Sequence, residues 1–408
     1  MPALESSTIS RRRLTELLAE ARARTVLLVS SVPEAGMSLQ PDDAVRPVLR
    51  ELEQIARFEQ QWLAQDSFTT PDISSYDEWF DFMLGVRERS LERIEAMDEI
   101  SSPSVEDRCR LALEHEYRRG EAILETLQLL PDYRALRRTA LPRGRRLADP
   151  GFMARFPGGS VPVGNPDTVW PDEQPPHSHE LAPFWIDVMP VTNGDFITFM
   201  AAGGYTTSEF WSEEGWSWVR ANQVGMPRHW FWDEGAWWSR WLDRSRPIDL
   251  TCPVACVSFF EAEAFARFVG KRLPTELEWE AAASWDPENQ DRRRYPWGSM
   301  PPSPHVANLD QLAFETAEVG AFPGNVSPVG CYGMIGDLWE WTATTIDATI
   351  DSTLAPVQAF LEELSPGRNV LRGGSWATRT GVARVTARKR GPADARHFFS
   401  GFRCAHDV

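Results

Sequence analysis

Residues 333–344 read GMIGDLWEWTAT, and residues 371–379 read LRGGSWATR. Both segments combine tryptophans, which bury large areas and donate their N–H groups to loop carbonyls, with glycines that permit close backbone approach. Gly, Pro, Asn and Trp are spread through short segments from Phe152 onward, and only 259–269 and 275–284 have a helical pattern. This combination predicts a loop-rich α+β domain in the second part of the chain.

The first part of the chain has a different pattern, because its apolar residues recur with the 3.6-residue period of amphipathic helices. Four helices are predicted, at residues 10–29, 43–64, 76–97 and 104–130. They predict a four-helix bundle, in which facing side chains can form a metal or ligand site. We therefore divide the chain into a bundle at 1–131, an Arg-rich linker at 132–150 and the α+β domain at 151–408.

Composition limits the class of partner. The 408 residues carry a formal net charge of -17 and a pI near 5.0. Nucleic-acid binding relies on clustered Lys and Arg, so we expect no nucleic-acid partner and instead a small molecule or a protein. No export signal and no apolar run long enough to span a membrane occur, which predicts a cytoplasmic protein without a membrane partner. The five scattered cysteines are expected to be reduced thiols.

Six ordered blocks of the second part resemble the formylglycine-generating enzyme superfamily. They are PFWIDVMPVTNGDF (183–196), GKRLPTELEWEAAA (270–283), RRYPWG (293–298), GMIGDLWEWTAT (333–344), LRGGSWATR (371–379) and FFSGFRCA (398–405). The resemblance implies a C-type-lectin-like fold, whose long loops are held by structural residues such as Trp339 and Trp341. Formylglycine-generating activity itself is disfavoured, because the copper-binding cysteine pair that follows RGGS in those enzymes is absent from 376–388.

The helical part, together with AAGGY at 201–205, narrows the resemblance to the ergothioneine-type sulfoxide synthases. In that family a DinB-like bundle contributes three histidines to a non-haem iron. The iron activates oxygen to join the sulfur of cysteine or γ-glutamylcysteine to the imidazole of a histidine betaine. The resemblance therefore implies an iron- and oxygen-dependent oxidoreductase, if the iron ligands are present.

Two of the three iron-ligand positions are altered in this chain. One family ligand stands in a segment of the form LxHIxxFExxWL, and the matching segment 52–63 has Gln54 in place of the histidine. The other two stand in HExxHxE, and the matching segment 115–121 keeps His115 but has Arg119 in place of the second histidine. A guanidinium has no free lone pair, and its fixed charge repels a divalent cation. We therefore expect no metal cofactor.

A rebuilt iron site is the alternative, because one histidine and two carboxylates form a known iron set. The carboxylates near His115 in sequence or by helix packing are Glu51, Glu116 and Glu121. Helical geometry disfavours this set, since Glu116 and Glu121 lie about 100° and 120° around the helix from His115. Glu121 is instead expected to accept a hydrogen bond from Arg119 or a neighbour.

Arg119 is predicted to be buried and to act as a fixed cation. A buried guanidinium must meet a carboxylate or the anionic part of a ligand. Glu121 and Glu59 are the carboxylates predicted to meet it.

The substrate-binding positions of the family are altered as well. The family resembles RNWDxPxRRxxFxGxR near its C-terminus, where the Asn and Asp hold the substrates, whereas residues 388–403 place Lys389 and Gly391 there. A catalytic tyrosine expected after the WEWT block is missing from 344–348, so proton delivery to reduced oxygen would need another donor. Arg87 matches an arginine that holds the carboxylate of the thiol substrate in the family, and a solvated Arg is the alternative interpretation.

Two functional hypotheses follow. The first is a metal-free pseudoenzyme or repurposed homologue whose interdomain pocket binds an anionic small molecule or a partner protein. Docking of the two parts would bring five cations together, with surface charges as the rival interpretation: Arg87, Arg119, Arg388, Lys389 and Arg390. The second hypothesis is an oxygen-dependent Fe(II) oxidoreductase with a rebuilt metal site, which forms C–S bonds or oxidises a specialised metabolite.

Overall fold

A computed structural model of the chain describes residues 10–64, 75–97, 104–130, 133–134, 138–145, 151–168, 170–346 and 368–408. Within them the predicted α+β architecture is confirmed, because a helical part precedes a domain of short strands and helices. The boundaries at residues 131 and 150 stay predictions. Residues 347–348, which belong to the segment that lacks the expected tyrosine, lie outside the described residues.

Within its described residues, the helical part contains four long helices and one short one. They are α1 (Arg11–Val29), α2 (Glu34–Met37), α3 (Val48–Glu59), α4 (Tyr76–Ala96) and α5 (Val105–Leu129), with a π-helical turn at Gln60–Ala64 after α3. Helix α3 begins at Val48 rather than at residue 43, because Arg46 precedes Pro47 and a residue before proline disfavours the helical conformation. Helices α1 and α3 both pack against α5, which is therefore the central helix of the bundle.

The second part contains four α-helices within the described residues. They are α6 (Asn193–Ala201), α7 (Glu213–Asn222), α8 (Phe259–Phe268) and α9 (Glu276–Ser284). Helices α8 and α9 confirm the prediction, whereas α6 and α7 were not predicted. In the described ranges none of the helices combines the length and the apolar character that a membrane span requires. All five cysteines are buried free thiols, as predicted.

The strands of the second part are short. They are β1 (Met153–Phe156), β2 (Gly159–Val163), β3 (His177–Leu181), β4 (Phe184–Asp187), β5 (Trp230–Asp233), β6 (Ala236–Trp241), β7 (Arg244–Pro247), β8 (Trp285–Asp286), β9 (Asp291–Arg292), β10 (Trp339–Ile346), β11 (Arg368–Arg372), β12 (Arg388–Gly391), β13 (Ser400–Gly401) and β14 (Ala405–Asp407). The largest sheet has the order β12-β11-β10-β13, in which β13 runs parallel to β10 and the other pairs are antiparallel. Smaller sheets are β1-β4-β14, β5-β6-β7, β2-β3 and β8-β9.

The two parts of the chain share an apolar core. One buried cluster joins Leu28, Leu52 and Leu127 of the helical part to Trp376 and Phe399 of the second part. The ring centroids of Trp376 and Phe399 lie 4.3 Å apart. Helix α5 is therefore held between the other bundle helices and the strand-rich domain, and this position brings its polar side chains to the domain boundary.

Candidate ligand-binding site

Helix α5 begins with a capping box, in which the Ser104 hydroxyl accepts from the N–H of Asp107 and the Asp107 carboxylate accepts from the N–H of Ser104. Further along, five residues at spacings of four and three lie on one face of the helix. They form the polar stripe of α5: Glu114, Arg118, Glu121, Glu125 and Gln128. All five bond to the second part: Glu114 to Arg384, and Arg118 to the carbonyl of Arg388. Glu121 bonds to Trp339, Ser375 and Thr378, and Glu125 bonds to Lys389. Gln128 bonds to the backbone of Arg240 and Leu242.

Glu121 lies at the centre of the polar stripe and is buried. Its carboxylate accepts hydrogen bonds of 2.7 Å each from the indole Nε1 of Trp339 and the hydroxyls of Ser375 and Thr378. The sequence predicted a donor from Arg119 or a neighbour, and the observed donors instead come from the strand-rich domain. Charge-assisted hydrogen bonds are stronger than neutral ones, so these contacts fix both the carboxylate and the docking of α5.

His115 is buried against the aromatic ring of Phe58. The two ring centroids lie 4.0 Å apart, and the ring planes differ by 9°. Burial, followed by the charges of Arg119 and Arg118, lowers the pKa of His115 well below its usual value. The imidazole is therefore neutral at physiological pH.

Arg119 follows His115 by one helical turn and is also buried. Its Nη1 lies 3.2 Å from Oε2 of Glu51 on α3. The prediction that a carboxylate meets this guanidinium is confirmed, but the carboxylate belongs to Glu51 rather than to Glu121 or Glu59. Helix α3 supplies the partner because it packs directly on α5. Gln54, on the same helix, is half-buried.

Arg87 belongs to a charge cluster inside the bundle, which we name the Arg–Glu quartet: Arg22, Glu59, Arg87 and Glu116. Arg87 bonds to Glu59 at 2.6 Å and to Glu116 at 2.7 Å, and Arg22 bonds to the same carboxylates at 2.6 and 3.0 Å. Burial acts to raise the pKa of Glu59, but Arg87 and Arg22 outweigh it and lower the pKa. The quartet therefore consists of two arginines and two glutamates that pair with each other within the bundle.

A cavity of about 320 Å³ lies at the boundary between the helical part and the strand-rich domain. Arg119, Lys389 and Arg390 line it. They are three of the five cations that were predicted to lie together between the two parts of the chain. The structure does not bring Arg87 and Arg388 to this cavity. Arg87 is held in the Arg–Glu quartet, and Arg388 bonds through Nε to Glu276 at 2.6 Å. Both side chains are held by carboxylates that do not line the cavity.

The lining of the cavity contains more cations than anions. The cationic residues are Arg46, Arg118, Arg119, Arg368, Lys389 and Arg390, and the anionic residues are Asp43, Glu51, Glu121 and Glu125. His397 also lines the cavity, and burial, followed by Lys389 and Arg228, lowers its pKa to about 3. His397 is therefore neutral at pH 7. The cavity has a positive excess in a chain whose net charge is -17.

Among the cationic and histidine side chains of this lining, four were missed by the sequence analysis: Arg46, Arg118, Arg368 and His397. Arg118 and His397 stand inside segments that carry the family resemblance, at 115–121 and 388–403. These segments also contain the altered family positions, so the sequence could have indicated both residues as part of the site. Arg46 and Arg368 belong to no motif. Among the residues that the structure describes, Arg368 has no ion-pair partner.

The residues at the iron position that the family resemblance implies do not fit a metal ion. Arg119 places a fixed positive charge there, and Glu51 is paired with it. Glu121 is bonded to the strand-rich domain, while Glu116 belongs to the Arg–Glu quartet. No three His, Cys, Asp or Glu side chains of the described ranges are grouped closely enough to hold a metal. The set that a rebuilt iron site requires is therefore not assembled.

Comparison with known proteins relates the whole chain to one family. Residues 140–408 match the sulfatase-modifying factor enzyme 1-like domain. The hercynine oxygenase of Mycolicibacterium smegmatis is 32% identical, across 98% of this chain and 100% of the relative. The hercynine oxygenase of Mycobacterium tuberculosis is 33% identical, across 96% of this chain and 98% of the relative. A formylglycine-generating enzyme of Thermomonospora curvata is 34% identical, across 62% of this chain and 93% of the relative.

Proposed function

Because the chain belongs to the hercynine oxygenase family of ergothioneine-type sulfoxide synthases, we propose that it is a diverged homologue whose interdomain cavity binds an anionic small molecule without iron. The relatives are oxygenases by name. Gln54 and Arg119 stand at two of the three positions where the resemblance to this family implies iron-ligand histidines. The observation that carries the proposal is the positive excess of the cavity lining in a strongly acidic chain.

Arginine supports the choice of ligand class. A guanidinium offers a planar set of donors that matches carboxylate and phosphate groups, and it stays charged at any physiological pH. Arg368 is half-buried at the cavity and has no ion-pair partner among the described residues. Arg390 and Arg46 line the same cavity and offer guanidiniums of the same kind. A carboxylate or phosphate ligand would supply an anionic partner for Arg368.

The alternative, an oxygen-dependent oxidoreductase with a rebuilt iron site, requires a different arrangement. Glu51 would have to leave Arg119, and Glu121 would have to leave Trp339, Ser375 and Thr378. Each of these buried groups would lose a charge-assisted hydrogen bond. The geometry therefore favours the metal-free proposal.

Calorimetric titration of inorganic phosphate and of succinate into the full chain tests the proposal. We expect at least one of these anions to bind, with affinity that falls as salt is raised. Arg368→Gln and Arg390→Gln should each weaken binding by about tenfold or more. Arg267→Gln is the matched control, because Arg267 pairs with Glu263 on the exposed face of α8. Absence of binding, or equal weakening by the control, would overturn the proposal.

A further inference from the structure

Lysine is almost absent from this chain. Of 42 Lys and Arg residues, two are lysines, Lys271 and Lys389. Lys271 pairs with Asp187 in the strand-rich domain, and Lys389 lines the cavity. A lysine differs from an arginine in carrying a compact ammonium on a flexible stem. The cavity therefore contains one cation whose chemistry differs from that of the arginines around it.

The surroundings of the Lys389 ammonium are those of a bound cation. Its Nζ donates to Glu125 and lies 3.8 Å from Oε1 of Glu121. The same nitrogen lies 4.5 Å from the ring centroid of Phe398. Two carboxylates and an aromatic face are the groups that recognise an ammonium, through charge-assisted hydrogen bonds and cation–π attraction. The side chain is 12% exposed, so these contacts replace most of its hydration.

The carboxylates that surround the Lys389 ammonium are held in part by contacts that do not involve Lys389. Glu121 and Glu125 are one helical turn apart on the polar stripe of α5, so their carboxylates point to the same side. Glu121 is oriented by three donors of the strand-rich domain, which are Trp339, Ser375 and Thr378. Both carboxylates are about one-twentieth exposed, and such buried carboxylates require a cation. Lys389 reaches them from β12, at a position where the family resemblance implies an asparagine.

We propose that Lys389 is a tethered ammonium that fills a cation subsite formed by Glu121, Glu125 and Phe398. When the side chain is removed, the subsite accepts small primary alkylammonium ions. With Lys389 present, the cavity rejects ligands that carry an ammonium group at this position. This last point rests on the proposed function, because it defines which anionic ligands the cavity admits.

The test replaces the missing atoms one for one. Lys389→Ala removes Cγ, Cδ, Cε and Nζ, and propylammonium supplies the same three carbons and nitrogen. We expect propylammonium to bind Lys389→Ala at least tenfold more tightly than wild type, and at least tenfold more tightly than propan-1-ol, its uncharged analogue. Lys271→Ala should show no gain, and adding Glu125→Gln to Lys389→Ala should abolish it. Equal binding of propylammonium and propan-1-ol would overturn the cation subsite.

Selectivity is tested with a ligand that combines both charges. We expect 4-aminobutyrate to bind Lys389→Ala at least tenfold more tightly than wild type, whereas succinate shows no such gain. If propylammonium binds the variant but 4-aminobutyrate does not gain, the claim about ligand selection is wrong. If wild type binds neither phosphate nor succinate while propylammonium still binds the variant, the proposed function fails and the cation subsite stands.

A second measurement on the wild-type chain covers the case in which Lys389→Ala does not fold. Protein labelled with ¹³C only in lysine gives two εCH₂ signals, since the chain has two lysines. The ring current of Phe398 should move the Lys389 signal upfield. Lys271→Arg assigns the two signals, and Phe398→Leu should return the shifted one to its ordinary position. Two signals without an upfield shift would show that the Lys389 side chain does not lie over the ring of Phe398.

Discussion

The indole N–H of Trp339 donates a 2.7 Å hydrogen bond to the carboxylate of Glu121, across the boundary between the two parts of the chain. Ser375 and Thr378 donate to the same carboxylate, and Lys389 lies 3.8 Å from it. One side chain of α5 therefore both docks the bundle on the strand-rich domain and forms part of the cavity wall. A change at Glu121 affects the fold and the site together.

Glu121→Ala should lower the free energy of unfolding by about 3 to 5 kcal/mol, because it leaves several buried polar groups without their anionic partner. Urea denaturation of the purified variant provides the measurement. Glu180→Ala, on the exposed strand β3, is the control and should stay within about 0.5 kcal/mol of wild type. A loss below about 1 kcal/mol for Glu121→Ala would contradict the docking role.

Arg87→Lys should lower stability by about 2 to 4 kcal/mol, because an ammonium cannot bond Glu59 and Glu116 with the planar geometry of a guanidinium. Phosphate or succinate affinity, measured on the folded variant, should remain within about twofold of wild type. Arg57→Lys, at an ion pair of α3 in which the arginine is exposed, is the control and should cost under about 1 kcal/mol. Loss of ligand affinity without loss of stability would instead assign Arg87 to ligand binding, as the family resemblance implies.

Wild-type protein should retain less than one iron per chain after purification with Fe(II), because Arg119 places a guanidinium where the family resemblance implies an iron ligand. The double change Gln54→His with Arg119→His should raise Fe(II) affinity, since it restores a three-histidine set and releases Glu51. Anaerobic calorimetry is the measurement, and Gln54→His alone, which keeps the guanidinium, is the control. A folded double variant that binds Fe(II) no better than wild type would show that Gln54 and Arg119 do not share one site with His115.

Hercynine with cysteine or γ-glutamylcysteine, Fe(II) and oxygen should give no sulfoxide above a control without protein. Glu51 and Glu121 are held by other partners, and the part of the chain that the structure describes groups no ligand set for the iron. Mass spectrometry of the reaction mixture provides the measurement, with the hercynine oxygenase of Mycolicibacterium smegmatis as the positive control. Sulfoxide formed at a rate well above that of the control without protein would contradict the proposed metal-free function.

Burial, followed by Lys389 and Arg228, lowers the pKa of His397 to about 3, so the folded state keeps this imidazole neutral. An unfolded histidine titrates near pH 6.5. The contribution of His397 to the free energy of unfolding is thus complete above pH 6.5. It is lost as the pH falls towards the pKa of His397 in the folded state. The loss amounts to about 2 kcal/mol at about pH 5. His397→Gln should remove this part of the acid sensitivity in denaturation at about pH 7 and 5. The exposed His177→Gln should keep the wild-type slope, and an unchanged slope in His397→Gln would refute the assignment.

The helices were predictable where a single apolar face repeats over several turns. Helices α1, α4 and α5 begin and end within one residue of the predicted bounds. The missed helices α6 and α7 are short, but each has a signal in the sequence, because Thr192 and Ser212 cap their first turns through their side chains. Short helices among many turn residues are recognised better from their caps than from periodicity.

The site was predictable only in part, for a physical reason. The motif placed His115 and Arg119 on one helix face, and the position of Arg119 at a ligand site of the family predicted that it is buried. Ion-pair partners are not encoded locally, since Arg388 pairs with Glu276 and Arg119 pairs with Glu51 across long stretches of chain. The choice among neighbouring carboxylates depends on how helices and loops pack, which spacing within one segment does not specify.

The shared apolar core has a consequence for biosynthesis. Leu28, Leu52 and Leu127 leave the ribosome early, whereas Trp376 and Phe399, which cover them, are synthesised more than two hundred residues later. During that interval the nascent helices carry an uncovered apolar face, and such exposed surface invites aggregation. The bundle therefore reaches its final form only after the strand-rich domain closes over it, and chaperones that bind apolar surface would act on this protein mainly during that delay.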